Sequence, residues 1–257
     1  MIGSGAPVIV GVKNLAVDFD TVRLAAREAA SAGLPLCVLH AFVWPAFIAS
    51  RDAYGDDREL ADRMLDEAVS LALAERPGLD ISAAVVDGEP IQVLLRAAND
   101  ASLVVLGGNG AQPGHDPAFS VTIQVAARSS RPVLFATGAE HTGPVVVGVD
   151  GSADSVVGLD AAFDEARRRH TGVVVLHAEG VRCRAEGGDD PSAVPAEHRV
   201  VDRPADEALI AESDSAQLVV VGAQGDRPCL LGPVTQAVIR HANCPVLIAR
   251  ATATSPR

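Results

Sequence analysis

Two short stretches carry the residues with most to offer a ligand: Leu103-Val104-Val105-Leu106-Gly107-Gly108-Asn109-Gly110 and Leu218-Val219-Val220-Val221-Gly222-Ala223-Gln224-Gly225. Each is an apolar run that breaks into GxxG. The run reads as a buried parallel strand, and the glycines let backbone N–H groups approach an anion at its C-terminal end. Asp150-Gly151-Ser152 follows another such run, Val145 to Val149, where a carboxylate suits a turn, a helix cap or a ligand hydroxyl. His40 and His177 lie inside apolar strands, a setting that favours a hydrogen-bonded core position over a base or a metal ligand. Cys37, Cys183, Cys229 and Cys244 show neither zinc spacing nor CxxC, and the two in loops, Cys183 and Cys229, are the redox candidates.

The elements that must position these residues come as a repeat. A shift of 137 residues lays Pro7 to Ala41 on Pro144 to Ala178 without a gap, matching Gly11 with Gly148, Glu28 with Glu165 and Val38-Leu39-His40-Ala41 with Val175-Leu176-His177-Ala178. Shifts of 115 and 113 align the GxxG strands and then the closing segments, Pro132-Val133-Leu134 and Pro245-Val246-Leu247. Two homologous lobes follow, 1–139 and 140–257, joined by Glu140-His141-Thr142-Gly143.

Within lobe one, apolar runs at Val8 to Val12, Leu36 to Ala41 and Ile81 to Val86 alternate with helical patterns. The first helix is expected to be capped by Asp18 and striped by Phe19, Val22, Ala26 and Ala29. After a loop from Trp44 to Asp57, a second helix is expected over about Glu59 to Ala74 with Leu60, Met64, Ala68 and Leu71 inward. Lobe two repeats the scheme with a stripe of Val156, Leu159, Phe163 and Ala166, but Glu179 to Glu197 carries no helical stripe. Its second helix is expected to be replaced by a loop. The βα alternation predicts an α/β fold with parallel, doubly wound sheets.

Composition narrows the partners. Acidic residues outnumber basic ones 33 to 21, for a formal charge of −12, which argues against a nucleic-acid partner held through phosphates. No run approaches the ~20 apolar residues of a membrane helix. No basic segment precedes an apolar one at the start, so the expected compartment is the cytoplasm.

Gly148-Val149-Asp150-Gly151-Ser152, Val175-Leu176-His177-Ala178, the GxxG strands and Cys244-Pro245-Val246-Leu247 resemble the universal stress protein family. Two lobes in one chain resemble its tandem members, common in actinobacteria, and only the linker, the 179–197 segment and the termini fall outside the likeness. The resemblance implies two flavodoxin-like, Rossmann-like lobes, each a five-stranded parallel sheet with helices on both faces. It also implies a non-catalytic stress-response regulator that binds ATP at the strand C-terminal ends in its nucleotide-binding branch, as open parallel sheets favour.

That branch carries an Asp after the first strand, backbone contact to adenine after the second, then GxxG, nine residues, Gly and Ser or Thr. The resemblance therefore marks Ala41, Gly107, Gly110 and Ser120 in lobe one, and Gly148, Val149, Asp150, Ala178, Gly222, Gly225 and Gly232 in lobe two. Lobe one has Lys13 for the Asp, Phe119 for the last Gly and eight intervening residues. Lobe two has six, then Pro233 in place of the hydroxyl residue. Lobe one is thus expected to hold phosphate better and lobe two the nucleoside, with ATP binding weak or absent and no magnesium assigned. The closing strands near Val133 and Val246 are expected to pair the lobes, a homodimer being secondary. Two other functions compete: a ligand-free interaction module, and an adenylating enzyme, against which stands the lack of SGGxDS, HIGH or KMSKS-like signatures and of a nucleophile and base pair.

Overall fold

The computed structural model describes residues 5–43, 51–108, 120–178, 194–223 and 230–250, and of 51–56 and 178 the backbone alone. The first repeat contributes β1 (Val8–Gly11), α1 (Leu15–Ala32), β2 (Leu36–Phe42), α2 (Arg51–Glu75), β3 (Ile81–Asp87), α3 (Pro90–Asn99), β4 (Leu103–Gly107), α4 (Val121–Arg128) and β5 (Val133–Ala136). The second contributes β6 (Val145–Val149), α5 (Ala153–Arg169), β7 (Val173–Ala178), β8 (Ala196–Val201), α6 (Ala205–Glu212), β9 (Leu218–Gly222), α7 (Pro233–His241) and β10 (Val246–Ala249).

Two compact units share the chain, Met1–Arg131 and Pro132–Arg257. The division precedes the expected 139/140 boundary, because β5 lies antiparallel on β10 with Val133 opposite Ile248, Leu134 opposite Leu247 and Phe135 opposite Val246. The two closing strands therefore do pair. Unit one orders its parallel strands β3-β2-β1-β4. In unit two, β10-β9-β6-β7-β8 are parallel and β5 is added outside β10. The runs of Val, Ile and Leu that form these strands are covered on both faces, which is why Val10, Val105, Val147 and Val220 are wholly buried.

The first helices of the two units are built alike, although their N-caps stand one place apart in the repeat, since Asn14 aligns with Gly151. Asn14 and Ser152 cap α1 and α5 by accepting from Ala16 N at 2.9 Å and Ser155 N at 3.2 Å. The same helices end on equivalent left-handed residues, Gly33 at φ 64° and His170 at φ 53°. Cys244 is packed at the start of β10, and burial pushes its thiol up to about 12.

Several sequence expectations need correction. The cap of α1 is Asn14, not Asp18, which points inward and is 8% exposed. Phe19 and Val156, expected in the buried stripes, are 46% and 53% exposed. The helix α2 starts at Arg51, inside the expected loop, and turns Ala61, Leu65, Ala68 and Ala72 inward while Leu60 is exposed. Arg23 and Arg27 on α1 reach Glu75 at its far end at 2.7 and 3.0 Å, and these hydrogen bonds hold the Glu75 carboxyl below the usual range. In unit two β8 starts at Ala196, within the segment expected as loop, of which 179–193 lie outside the described residues. Among the described residues no helix joins β7 to β8.

Candidate functional site

In an open parallel sheet the chain leaves its first strand in one direction and later returns to the other side, which opens a crevice at the strand C-terminal ends. In unit two that place lies between β6 and β9. A cavity of about 210 Å³ occupies it, bounded by Gly148, Val149 and Asp150 at the end of β6, Gly222 at the end of β9 and Gly232 before α7. Leu176, Val201 and Leu209 supply apolar wall. A Cβ on Gly148 would stand 3.0 Å from Leu209 Cδ1, so the glycine lets α6 approach.

Polar groups converge from the first turns of α5 and α7. The Asp150 carboxylate accepts from Ser152 N at 2.9 Å. Burial opposes its charge, but the hydroxyl and N–H of Ser152 outweigh that and hold its carboxyl below the usual carboxylate range. Ser155 is buried, and its hydroxyl donates to Ser152 O at 2.8 Å. Thr235 spends its hydroxyl proton on Gly222 O at 3.1 Å, tying α7 to the end of β9. Pro233, at the first position of α7, has no N–H to give, which leaves those of Val234 and Thr235 as the free donors expected of a helix start.

The same corner of unit one is built differently. The α1 helix crosses β1 and β4 as α5 crosses β6 and β9, so its inward first-turn residue sits over the switch point. That residue is Asp18, equivalent to Ser155 by the 137-residue shift. Its Oδ2 accepts from Lys13 N at 2.8 Å and Asn14 N at 3.0 Å, the loop that leaves β1. Its Oδ1 would be 2.8 Å from a Cβ on Gly107, with Thr21 Oγ1 at 3.3 Å. A carboxylate thus already occupies the backbone donors of this corner. This charge stands against the expectation that lobe one holds phosphate better, and Asp18, expected as the cap of α1, faces the loop instead.

The structure brings together Gly148, Val149, Asp150, Gly222 and Gly232 around one cavity. Ala178 closes β7 with its backbone opposite Val201 on the cavity wall. Ala41 holds the matching place in β2, opposite Val86, and Gly107 ends β4. Ser120 is the N-cap of α4, but its hydroxyl is engaged with Thr122 Oγ1 at 3.0 Å. Gly110 and Gly225, like Cys183 and Cys229, lie outside the described residues. His40 Nδ1 meets Val12 O at 2.8 Å. His177 is buried and pairs through Nε2 with His198 Nδ1 at 2.8 Å, its burial and then the His198 charge lowering its pKa. The sequence reading missed Asp154, Ser155 and Thr235 as lining residues. A polar residue in the first turn of a helix directly after a strand is the signal that marks Asp154 and Ser155; none marks Thr235.

Comparison with known proteins agrees with this architecture. The family model for the Universal stress protein family matches residues 6–136 and 179–250. A universal stress protein of Mycobacterium tuberculosis is 31% identical over 287 residues, covering 95% of this chain and 96% of the relative. A second from the same species is 29% identical, covering 98% of each. The crystal structure of a universal stress protein from Archaeoglobus fulgidus superposes with a TM-score of 0.79 at 16% identity, covering 96% of this chain and 97% of that one, which speaks for the fold. This chain belongs to the universal stress protein family, with its lobes in tandem.

Proposed function

We propose that the protein is a non-catalytic stress-response regulator that holds an adenine nucleotide in the crevice of unit two. The observation that carries this reading is the cavity at the β6–β9 switch point, where Asp150 and three glycines of the family pattern, Gly148, Gly222 and Gly232, meet. In that reading Asp150 faces the ribose, the apolar wall of Leu176, Val201 and Leu209 takes the base, and the N–H groups of Val234 and Thr235 take a phosphate. About 210 Å³ is below the ~300–1,000 Å³ of sites for drug-sized ligands, which favours a nucleoside or monophosphate over a triphosphate. With Asp150 and Asp154 at the rim and no Lys or Arg among the described lining residues, added phosphates meet repulsion.

The non-catalytic part rests on the side chains present. Among the described lining residues there is no His or Cys, and the Ser152 hydroxyl oxygen is used as a cap. The experiment is mass spectrometry of the gently purified, denatured protein, followed by calorimetry with adenosine, AMP and ATP. Expected are an adenine compound released from the protein and affinity falling from AMP to ATP. No binding of any of the three would leave the ligand-free interaction module as the better reading.

A further inference from the structure

We propose that Asp18 is a built-in anion that keeps the crevice of lobe one closed to phosphate, and that the inward first-turn position, Asp18 in one lobe and Ser155 in the other, decides which lobe admits an anionic ligand. The N–H groups of Lys13 and Asn14 point into the corner where β1 ends, and both donate to one carboxylate oxygen of Asp18. Successive N–H groups that converge in this way form an anion nest. Here the anion is supplied by the chain itself, from one turn into α1. The rest of the carboxylate lies against Gly107 and Thr21, so charge and volume are both filled. An incoming phosphate would have to displace two charge-assisted hydrogen bonds and then sit beside the displaced charge.

Lobe two has the opposite construction at the same positions. Ser155 and Gly158 hold the positions of Asp18 and Thr21, and a Cβ on Gly222 would meet the Cβ, carbonyl carbon and carbonyl oxygen of Asp154 at 3.1 to 3.2 Å, where one on Gly107 meets a carboxylate oxygen. Its carboxylate, Asp150, stands at the exposed rim, where it bonds Ser152 N and leaves the cavity open. Lys13 replaces Asp150 in lobe one, so the rim and the interior have exchanged their acidic residue between lobes. The lobe-two half of the proposal rests on the nucleotide reading above; the lobe-one half stands on the hydrogen bonds of Asp18 alone.

The test is backbone amide NMR of the full chain, titrated separately with inorganic phosphate and AMP, on the unaltered protein, Asp18→Ser, Asp18→Ala and Ser155→Asp. In the unaltered protein phosphate is expected to leave the Lys13 and Asn14 amides unmoved, whereas Asp18→Ser and Asp18→Ala make both respond. Ser155→Asp is expected to weaken the AMP response of Gly222 and Val234 by about a hundredfold or more. Movement of Lys13 and Asn14 by phosphate in the unaltered protein overturns the proposal. So does silence of both Asp18 variants while their β1 and β4 amides report a folded lobe. If those variants unfold, Ser155→Asp decides: undiminished response at Gly222 and Val234 overturns it. AMP binding nowhere in the unaltered protein sinks the nucleotide reading and leaves the phosphate titration of lobe one to judge Asp18.

Discussion

Lobe one and lobe two share a strand order, a C-terminal cap position and a helix that crosses the same two strands, yet the corners where their first strands end are built differently. In one, a buried Asp18 consumes the backbone donors of the loop; in the other, a small Ser155 leaves a cavity with its acid at the rim. Duplication thus preserved the packing geometry while the inward position, Asp18 or Ser155, and the rim position, Lys13 or Asp150, came to differ in charge. The difference teaches that a fold repeat is evidence about shape, whereas site chemistry must be read position by position.

The largest expected effect is on stability, because the two inward residues carry different hydrogen-bond loads. Asp18→Ala removes the acceptor of two partly buried N–H groups and is expected to destabilise unit one by about 2–3 kcal/mol. Ser155→Ala removes one hydroxyl bond to Ser152 O and is expected to cost unit two about 1 kcal/mol or less. Two units need not unfold together, so amide hydrogen exchange in β1 and β6 is the measure that separates them. Equal losses would erase the contrast.

Next in size are the glycines beneath these residues. A methyl on Gly107 would meet the pinned Asp18 carboxylate at 2.8 Å, and Gly107→Ala is expected to cost about 2 kcal/mol. A methyl on Gly222 would meet Asp154 at 3.1 to 3.2 Å, a tight contact that small shifts relieve, for about 1 kcal/mol. Chemical denaturation with probes in each unit checks the order, and a costlier Gly222→Ala would show that the second crevice is the more tightly packed. The helix ends offer a smaller comparison. His170 occupies the left-handed conformation that Gly33 adopts without strain, so His170→Gly is expected to gain about 1 kcal/mol and Gly33→Ala to lose a similar amount. A thermal midpoint for His170→Gly at or below that of the unaltered chain would mean that its side chain offsets the backbone cost.

Much of the architecture was legible because repeats and apolar runs survive any single substitution. The strands at Val8, Leu36, Leu103, Val145, Val173 and Leu218 fall where their Val- and Leu-rich runs put them, since such strands are buried on both faces. Helix phase was less legible. Phe19 and Val156 are apolar at the spacing of the inward stripe, but the residues that turn inward are their neighbours Asp18 and Ser155, whose polarity serves the loop beneath them. An apolar stripe is a reliable guide only where a helix packs on hydrocarbon; its first turn here packs on strand-end N–H and C=O groups. The site was legible in its glycines and Asp150 and illegible in Thr235, whose hydroxyl is committed to Gly222 O by a contact 13 residues away in sequence.

The smallest expected effect sharpens the rim comparison through pH. The Asp150 carboxyl is held below its ordinary value of about 3.9, so the folded state binds its proton less readily than the unfolded chain does. The stability it contributes is therefore complete above the unfolded value and is lost as pH falls through the lowered folded value. Because Asp150 is exposed, that contribution is expected to stay under about 1 kcal/mol and to shrink with salt. Asp150→Asn keeps an oxygen for Ser152 N but cannot titrate. Its unit-two stability should lie slightly below that of the unaltered protein near neutrality and converge with it in acid. Lys13, the equivalent residue of lobe one, has no carboxylate to lose, so Lys13→Ala should leave the acid limb of unit one unchanged. Hydrogen exchange of β6 and β1 amides from pH 7 down through the carboxylate range measures both limbs. A gap between Asp150→Asn and the unaltered protein that widened in acid would mean that hydrogen bonds to Asp150 do not outweigh its burial, and that the rim acid of lobe two is as costly as an unpaired charge.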